Sequence, residues 1–208
     1  MDHPVRQVSF GIGDRRFHEG LHVCHIFADD ADRSAVRARF IQTGIESGDK
    51  ALCLCDTDQP EQVVSELIAL GLDRELAAAR LVAASAAESY CPTGVFSPDA
   101  LLSQLKGMVE ASCAAGFSGL RITGDMAWIH RRGVTLEQVM DYELKVLDYI
   151  EGIPCTAVCE YDARRFDGAT LLDVLSVHPA VFVHGQLAWN PYYMDRHEFI
   201  TRFQSRQH

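Results

Sequence analysis

A chain of 208 residues with 48% hydrophobic and 23% charged residues has the balance of an ordinary globular domain, long enough to bury a substantial core. A formal net charge of −10, with no run of Lys or Arg longer than two, leaves no basic footprint and argues against direct nucleic-acid binding. No stretch nears the roughly 18 apolar residues of a membrane span, no signal-peptide core is present at the start, and seven cysteines without framework spacing fit a reducing compartment. A cytoplasmic protein without membrane association is expected.

Residues 1–17 read as a polar lead-in, 18–195 as one domain and 196–208 as a C-terminal tail. LHVCHIF (21–27) is a first strand, and Asp32 a candidate cap for a helix whose Val36, Phe40, Ile41 and Ile45 recur at helical spacing before Gly48. ALCLCD (51–56) is a second strand, and a helix opened by Asp58 and Pro60 closes at Gly71. LVAASAA (81–87) is a third strand, 88–100 is irregular, and Ser97-Pro98-Asp99 begins a helix that ends near Gly116. GLRITGD (119–125) and the helix 135–150 follow, then CTAVCEYD (155–162), ATLLDVLSVH (169–178) and AVFVHGQL (180–187). Repeated strand–helix units predict a three-layer α/β sandwich around a mostly parallel sheet.

In such sheets ligands bind beyond the carboxyl ends of the strands. Those ends carry Asp29-Asp30, Asp56, Gly124-Asp125 and Glu160-Tyr161-Asp162. The first loop, ADDAD, has neither the glycines nor the lysine of a phosphate grip, which disfavours nucleotide binding in the usual manner. Arg121 and Thr123 share one face of their strand, so Arg121 should be buried and needs a carboxylate. Glu143 falls on the apolar stripe of the helix 135–150 and is the expected partner, either in a structural ion pair or in a site. His178 ends a helix just before Pro179, where a satisfied structural histidine is the simpler reading. Cys155 and Cys159 lie about 13 Å apart along a strand, too far for one zinc. Cys53 and Cys55 read as small buried hydrophobes. No metal or cofactor site emerges from spacing.

Taken in order, HVCHIF (22–27), GIESGDKALCLCD (44–56), GFSGLRITGDMAW (116–128), DYE (141–143), AVCEYDARRF (157–166), HP (178–179) and NPYY (190–193) resemble the MEDS domain, the methanogen/methylotroph DcmR sensory domain. The resemblance covers roughly residues 18–195. It implies a RecA/circadian-clock-ATPase-like fold with an eroded phosphate loop, and a non-enzymatic sensory role without cofactor. The implied ligand is a small organic molecule. The implied output is a partner signalling protein, whether a kinase, an anti-sigma factor or a transcription regulator, and the resemblance also allows a homodimer.

The family's motif falls on His22, Arg121, Gly124, Asp125, Trp128, Glu143, Cys159, Tyr161, Asp162, Arg165, His178, Asn190 and Tyr192. Asp125 departs from the family's more usual glutamate. The expected ligand residues are His22, Arg121, Asp125, Trp128, Glu143, Tyr161, Asp162, Arg165 and His178, with Trp128 and Tyr161 as apolar walls and Arg121 with Asp125 as a polar anchor. Two alternatives stand beside this reading. One is a protein–protein switch without a small ligand. The other is a residual metal-dependent nucleotide hydrolase using Asp125 with Glu160 or Asp162.

Overall fold

A computed structural model of the chain describes residues 5–56, 58–92, 94–131 and 133–206. The first four residues of the expected lead-in and the last two of the expected tail lie outside that description. Residues 5–18 are more than a polar lead-in. They hold a hairpin, β1 (Gln7–Ser9) and β2 (Arg16–His18), which buries Val8, Phe10 and Phe17, and Phe10 stacks on Phe40 at 5.3 Å.

The main sheet has seven strands. Four are β3 (His22–Phe27), β4 (Lys50–Cys55), β5 (Leu81–Ser85) and β6 (Leu120–Asp125). The others are β7 (Cys155–Asp162), β8 (Ala180–Val183) and β9 (Gln186–Trp189). Their spatial order is β5-β4-β6-β7-β3-β8-β9, and only β9 runs antiparallel, against β8. The single strand expected over 180–187 is in fact the β8–β9 hairpin. His184 and Gly185 take φ values of 48° and 67°, the two left-handed residues of a tight two-residue turn.

Nearly every residue of β3, β4, β6 and β7 is buried, because helices cover both faces. On one face lie α1 (Asp30–Glu46), α2 (Pro60–Ala69) and α3 (Arg74–Arg80), over a core that includes Val23, Phe40, Ile41, Cys53 and Phe182. On the other lie α4 (Ala86–Tyr90), α5 (Pro98–Ala114), α6 (Leu136–Ile150), α7 (Gly168–Val177) and α8 (Arg196–Ser205). Their core includes Leu54, Ile122, Trp128, Met140, Tyr161 and Phe199. A 3-10 helix (Met126–Arg131) continues directly from β6. Among the described residues no helix is long and apolar enough to cross a membrane.

Local chemistry sets several of these boundaries. The cap of α1 is Asp29, not Asp32: its carboxylate accepts from the amides of Ala31 and Asp32 at 2.6 and 3.2 Å. Thr135 and Gln138 form a capping box that starts α6. The stripe that α1 buries holds Arg33 and Arg37 as well as Val36, Phe40, Ile41, Gly44 and Ile45. Gly44 is required there, because a Cβ would collide with the Arg121 side chain lying beneath the helix.

Candidate functional site

Among the described residues, three polar centres are buried against the sheet. The first is at its amino-terminal end. Arg121 donates from Nε to Asp49 at 2.9 Å and from Nη1 to the Ser9 and Phe40 carbonyls at 2.7 and 3.2 Å. Asp49 also accepts from Arg6, which pairs with Glu19 at 2.8 Å. The expected Arg121–Glu143 pair is therefore absent. Arg121 faces α1, whereas Glu143 comes from α6 on the opposite side of the sheet. Arg121 and Asp125 also fail as a joint anchor, because four residues of strand separate them by about 13 Å. Arg121 fastens the hairpin and α1 to the sheet.

The second centre occupies the carboxyl ends, under the start of α1. Arg37 grips Glu160 with two bonds of 3.0 and 2.5 Å, both side chains being almost wholly buried. Arg33 reaches Asp125 at 3.3 Å and also pairs with Asp58. Asp125 further accepts from the Ala127 amide at 3.0 Å. Burial opposes the charge on Arg37, but the Glu160 carboxylate outweighs it and raises the guanidinium's pKa. Two of the carboxylates expected at this edge, Asp125 and Glu160, are thus matched by arginines from α1. Asp162 stays apart, held by the backbone and guanidinium of Arg164 at 2.9 and 2.8 Å.

The third centre lies halfway down the other face, beneath α6 and α7. His22, the first residue of β3, has Nε2 3.1 Å from Glu143 Oε2 and 3.3 Å from Cys159 Sγ. His178 Nε2 lies 3.6 Å from the same Glu143 oxygen, and the two imidazoles are 4.2 Å apart between centroids. Cys159 Sγ is also 3.6 Å from Glu143 Oε2, and Tyr161 donates its hydroxyl to Oε1 at 2.5 Å. Both histidines and Glu143 are 0% exposed.

Burial raises the Glu143 carboxyl, but the His22 hydrogen bond, the two imidazoles and the Tyr161 hydroxyl hold it down to about 2. Burial, with His22 alongside, lowers His178 to about 3. Burial beside the Glu143 carboxylate pushes both the Cys159 thiol and the Tyr161 phenol well up. At neutral pH Glu143 is thus a carboxylate, with His178, Cys159 and Tyr161 neutral around it. His178 is only half satisfied. Its Nδ1 is 2.8 Å from the Val174 carbonyl, while Nε2 makes no hydrogen bond.

Tyr161 joins this centre to an open cleft of about 260 Å³ between the 3-10 helix, the start of α6 and the start of α7. Arg165, His130, Asp167 and Thr170 supply its polar groups, and Ile129, Val139 and Phe166 its apolar walls. Trp128 is not a wall. It is 0% exposed and stacks on Tyr90 at 4.6 Å, with Phe96 at 4.9 Å. Of the nine expected residues, the structure brings together His22, Glu143, Tyr161 and His178, places Arg165 at the cleft they adjoin, and sends Arg121, Asp125, Trp128 and Asp162 elsewhere. Cys53 and Cys55 fit their expected role, since burial pushes their thiols up to about 11 and about 12.

The model of the MEthanogen/methylotroph, DcmR Sensory domain family, MEDS, matches residues 21–179. The chain belongs to the MEDS family. It is 26% identical over 166 residues to the transcriptional repressor DcmR of Methylorubrum extorquens, a match that covers 79% of this chain and 60% of that repressor. A KaiC-like protein of Pyrococcus horikoshii OT3 superposes with a TM-score of 0.58 at 18% identity, covering 86% of this chain and 80% of the other, so the MEDS fold here is RecA-like. The MEDS match contains all four donors of the third centre and the whole cleft. Asn190, beyond it, completes the His178 corner: its amide donates to the Leu175 and His178 carbonyls at 2.6 and 2.8 Å.

Sequence reasoning missed Arg33 and Arg37, although a signal existed. Both fall at helical spacing on the stripe of Phe40 and Ile41, where a guanidinium has to find a buried carboxylate. The convergence of His22, Glu143, Cys159 and His178 had no such signal, because each donor comes from a different element.

Proposed function

We propose that the chain is a cytoplasmic, non-enzymatic sensor that binds a small organic molecule in the cleft beside Tyr161 and passes the signal to a partner regulator or kinase. The observation that carries this reading is the Tyr161 hydroxyl: the ring lines the cleft while the oxygen is bonded to buried Glu143. A ligand that shifts Tyr161 therefore acts on a network reaching β3, α6, β7 and α7. Helix α7 supplies the route outward. It presents Thr170 to the cleft, precedes His178 at the network, and borders an outer groove of about 320 Å³ with Leu172, Ser176, Tyr192 and Tyr193. The kinship with a transcriptional repressor supports a regulatory output.

The arginine pairs over Asp125 and Glu160 support the absence of nucleotide hydrolysis, because a phosphate or Mg²⁺ there would have to displace buried ion pairs. The outer groove favours a second reading, a protein–protein switch that ignores metabolites. Thermal-shift titration with short alcohols, diols, ketones and haloalkanes separates the two. The sensor reading expects at least one class to raise the melting temperature of the wild-type chain, and Arg165→Ala or Tyr161→Phe to abolish that rise. A flat response to every class in the wild type, or a response that both variants keep, defeats it.

A further inference from the structure

We propose that His22, Glu143, Cys159 and His178 form a closed four-ligand site for one divalent zinc-class cation. The four donor atoms lie within 4.8 Å of one another. Four of the edges measure 3.1, 3.3, 3.6 and 3.6 Å. Tetrahedral zinc with nitrogen and oxygen at about 2.0–2.2 Å and sulfur at about 2.3 Å sets edges of roughly 3.3–3.6 Å. The donor set suits zinc, with two imidazoles, one thiolate and one carboxylate.

The surroundings favour a cation independently of these distances. A carbonyl only accepts, so His178 Nδ1 carries the proton bonded to Val174, and Nε2 is the ring nitrogen turned toward Glu143 inside the cluster. No hydrogen bond meets that nitrogen, although it is fully buried. A buried polar nitrogen left without a partner costs free energy, and a bound cation would supply that partner. The same Nδ1–carbonyl bond is the outer support that metal-bound histidines ordinarily have, and Tyr161 plays that part for Glu143.

Charge also closes. The Cys159 S–H bond is exchanged for a sulfur–metal bond and its proton leaves to solvent, without redox change. Thiolate and carboxylate then cancel the two positive charges in a site sealed from water. Four protein ligands leave no open position, so the cation ties β3, α6, β7 and the end of α7 together and does not hold the sensed molecule. This assignment does not depend on the sensory reading, since metal content and small-molecule response are measured separately.

The decisive experiment uses the full chain, purified without chelator or metal-affinity resin. Elemental analysis should find about one zinc per chain, and X-ray absorption at the zinc edge should give about one sulfur and three nitrogen or oxygen neighbours. Substitution with Co²⁺ should produce tetrahedral d–d bands and a thiolate charge-transfer band. Cys159→Ser should lose that band, whereas Cys113→Ser, at an exposed cysteine far along α5, should keep it. Absence of both zinc and a tetrahedral cobalt spectrum in a folded chain overturns the assignment. So does an absorption shell without sulfur, which needs no variant to fold, or a charge-transfer band that survives Cys159→Ser.

Discussion

The two polar centres flanking the middle of the sheet solve the problem of buried charge in opposite ways. On the α1 face, Arg33 and Arg37 meet three carboxylates, Asp125, Asp58 and Glu160, so each guanidinium lies directly against opposite charge. On the α6–α7 face, one carboxylate, Glu143, is surrounded by two imidazoles, a thiol and a phenol, and one nitrogen of each imidazole, His22 Nδ1 and His178 Nε2, has no hydrogen bond. The first arrangement pairs its charges directly and holds α1 against the strand ends. The second is a set of electron pairs gathered around a single anion, chemically suited to accept a cation and joined through Tyr161 to a cleft.

The contrast is open to attack, and the strongest blow falls on the closed centre. Glu160→Ala leaves the Arg37 guanidinium buried without its partner, and urea unfolding should register a loss of roughly 3–5 kcal/mol. The double variant Arg37→Met with Glu160→Leu should recover most of that loss, because an apolar pair replaces a matched ion pair. A loss below about 1 kcal/mol in the single variant would show that water reaches Arg37.

Tyr161→Phe strikes the open centre more gently. It deletes one hydrogen bond to a buried carboxylate, and roughly 1.5–3 kcal/mol should disappear from the unfolding free energy. With zinc bound the loss should shrink, since the cation then satisfies Glu143; equal losses with and without zinc would contradict the coupling.

The smallest effect concerns His25, on the α1 face. Burial lowers its pKa from 6.5 despite Glu160 and Asp32 nearby, and neither ring nitrogen makes a hydrogen bond. The unfolded chain therefore takes up the proton first. The stability that a neutral His25 contributes is fully present above about pH 6.5 and is lost as the pH falls below it. His25→Phe, in a setting that already includes Phe27 and Phe182, should flatten the fall in urea midpoint between about pH 7 and about pH 5. An unchanged pH profile would mean that His25 has the same pKa in the folded and unfolded chain, so that burial does not depress it.

Much of the frame was legible in the sequence, because local rules settle it. Apolar runs at strand length, helical spacing of Val36, Phe40, Ile41 and Ile45, and the Pro, Ser and Gly punctuation gave the alternation of a parallel sheet. The β8–β9 turn escaped because His184-Gly185 is not one of the Asn-Gly, Asp-Gly or Gly-Gly pairs that mark a two-residue hairpin. The short helix α3 escaped because it follows α2 with little between them.

What the sequence determined by itself was the α/β class, the lack of a phosphate grip and the inward placement of Arg121 and Glu143. Each of these follows from periodicity or from the residue types in one segment. What only the tertiary structure decided was partnership. The alternation along β6 placed Arg121 and Ile122 on opposite faces but could not say which face α6 covers, so Glu143 was assigned to the wrong arginine. His22 and Cys159 meet across 137 positions, and no spacing rule reaches that far. Their meeting depends on β3 lying beside β7, which is a property of strand order, set by how the whole chain buries its apolar faces.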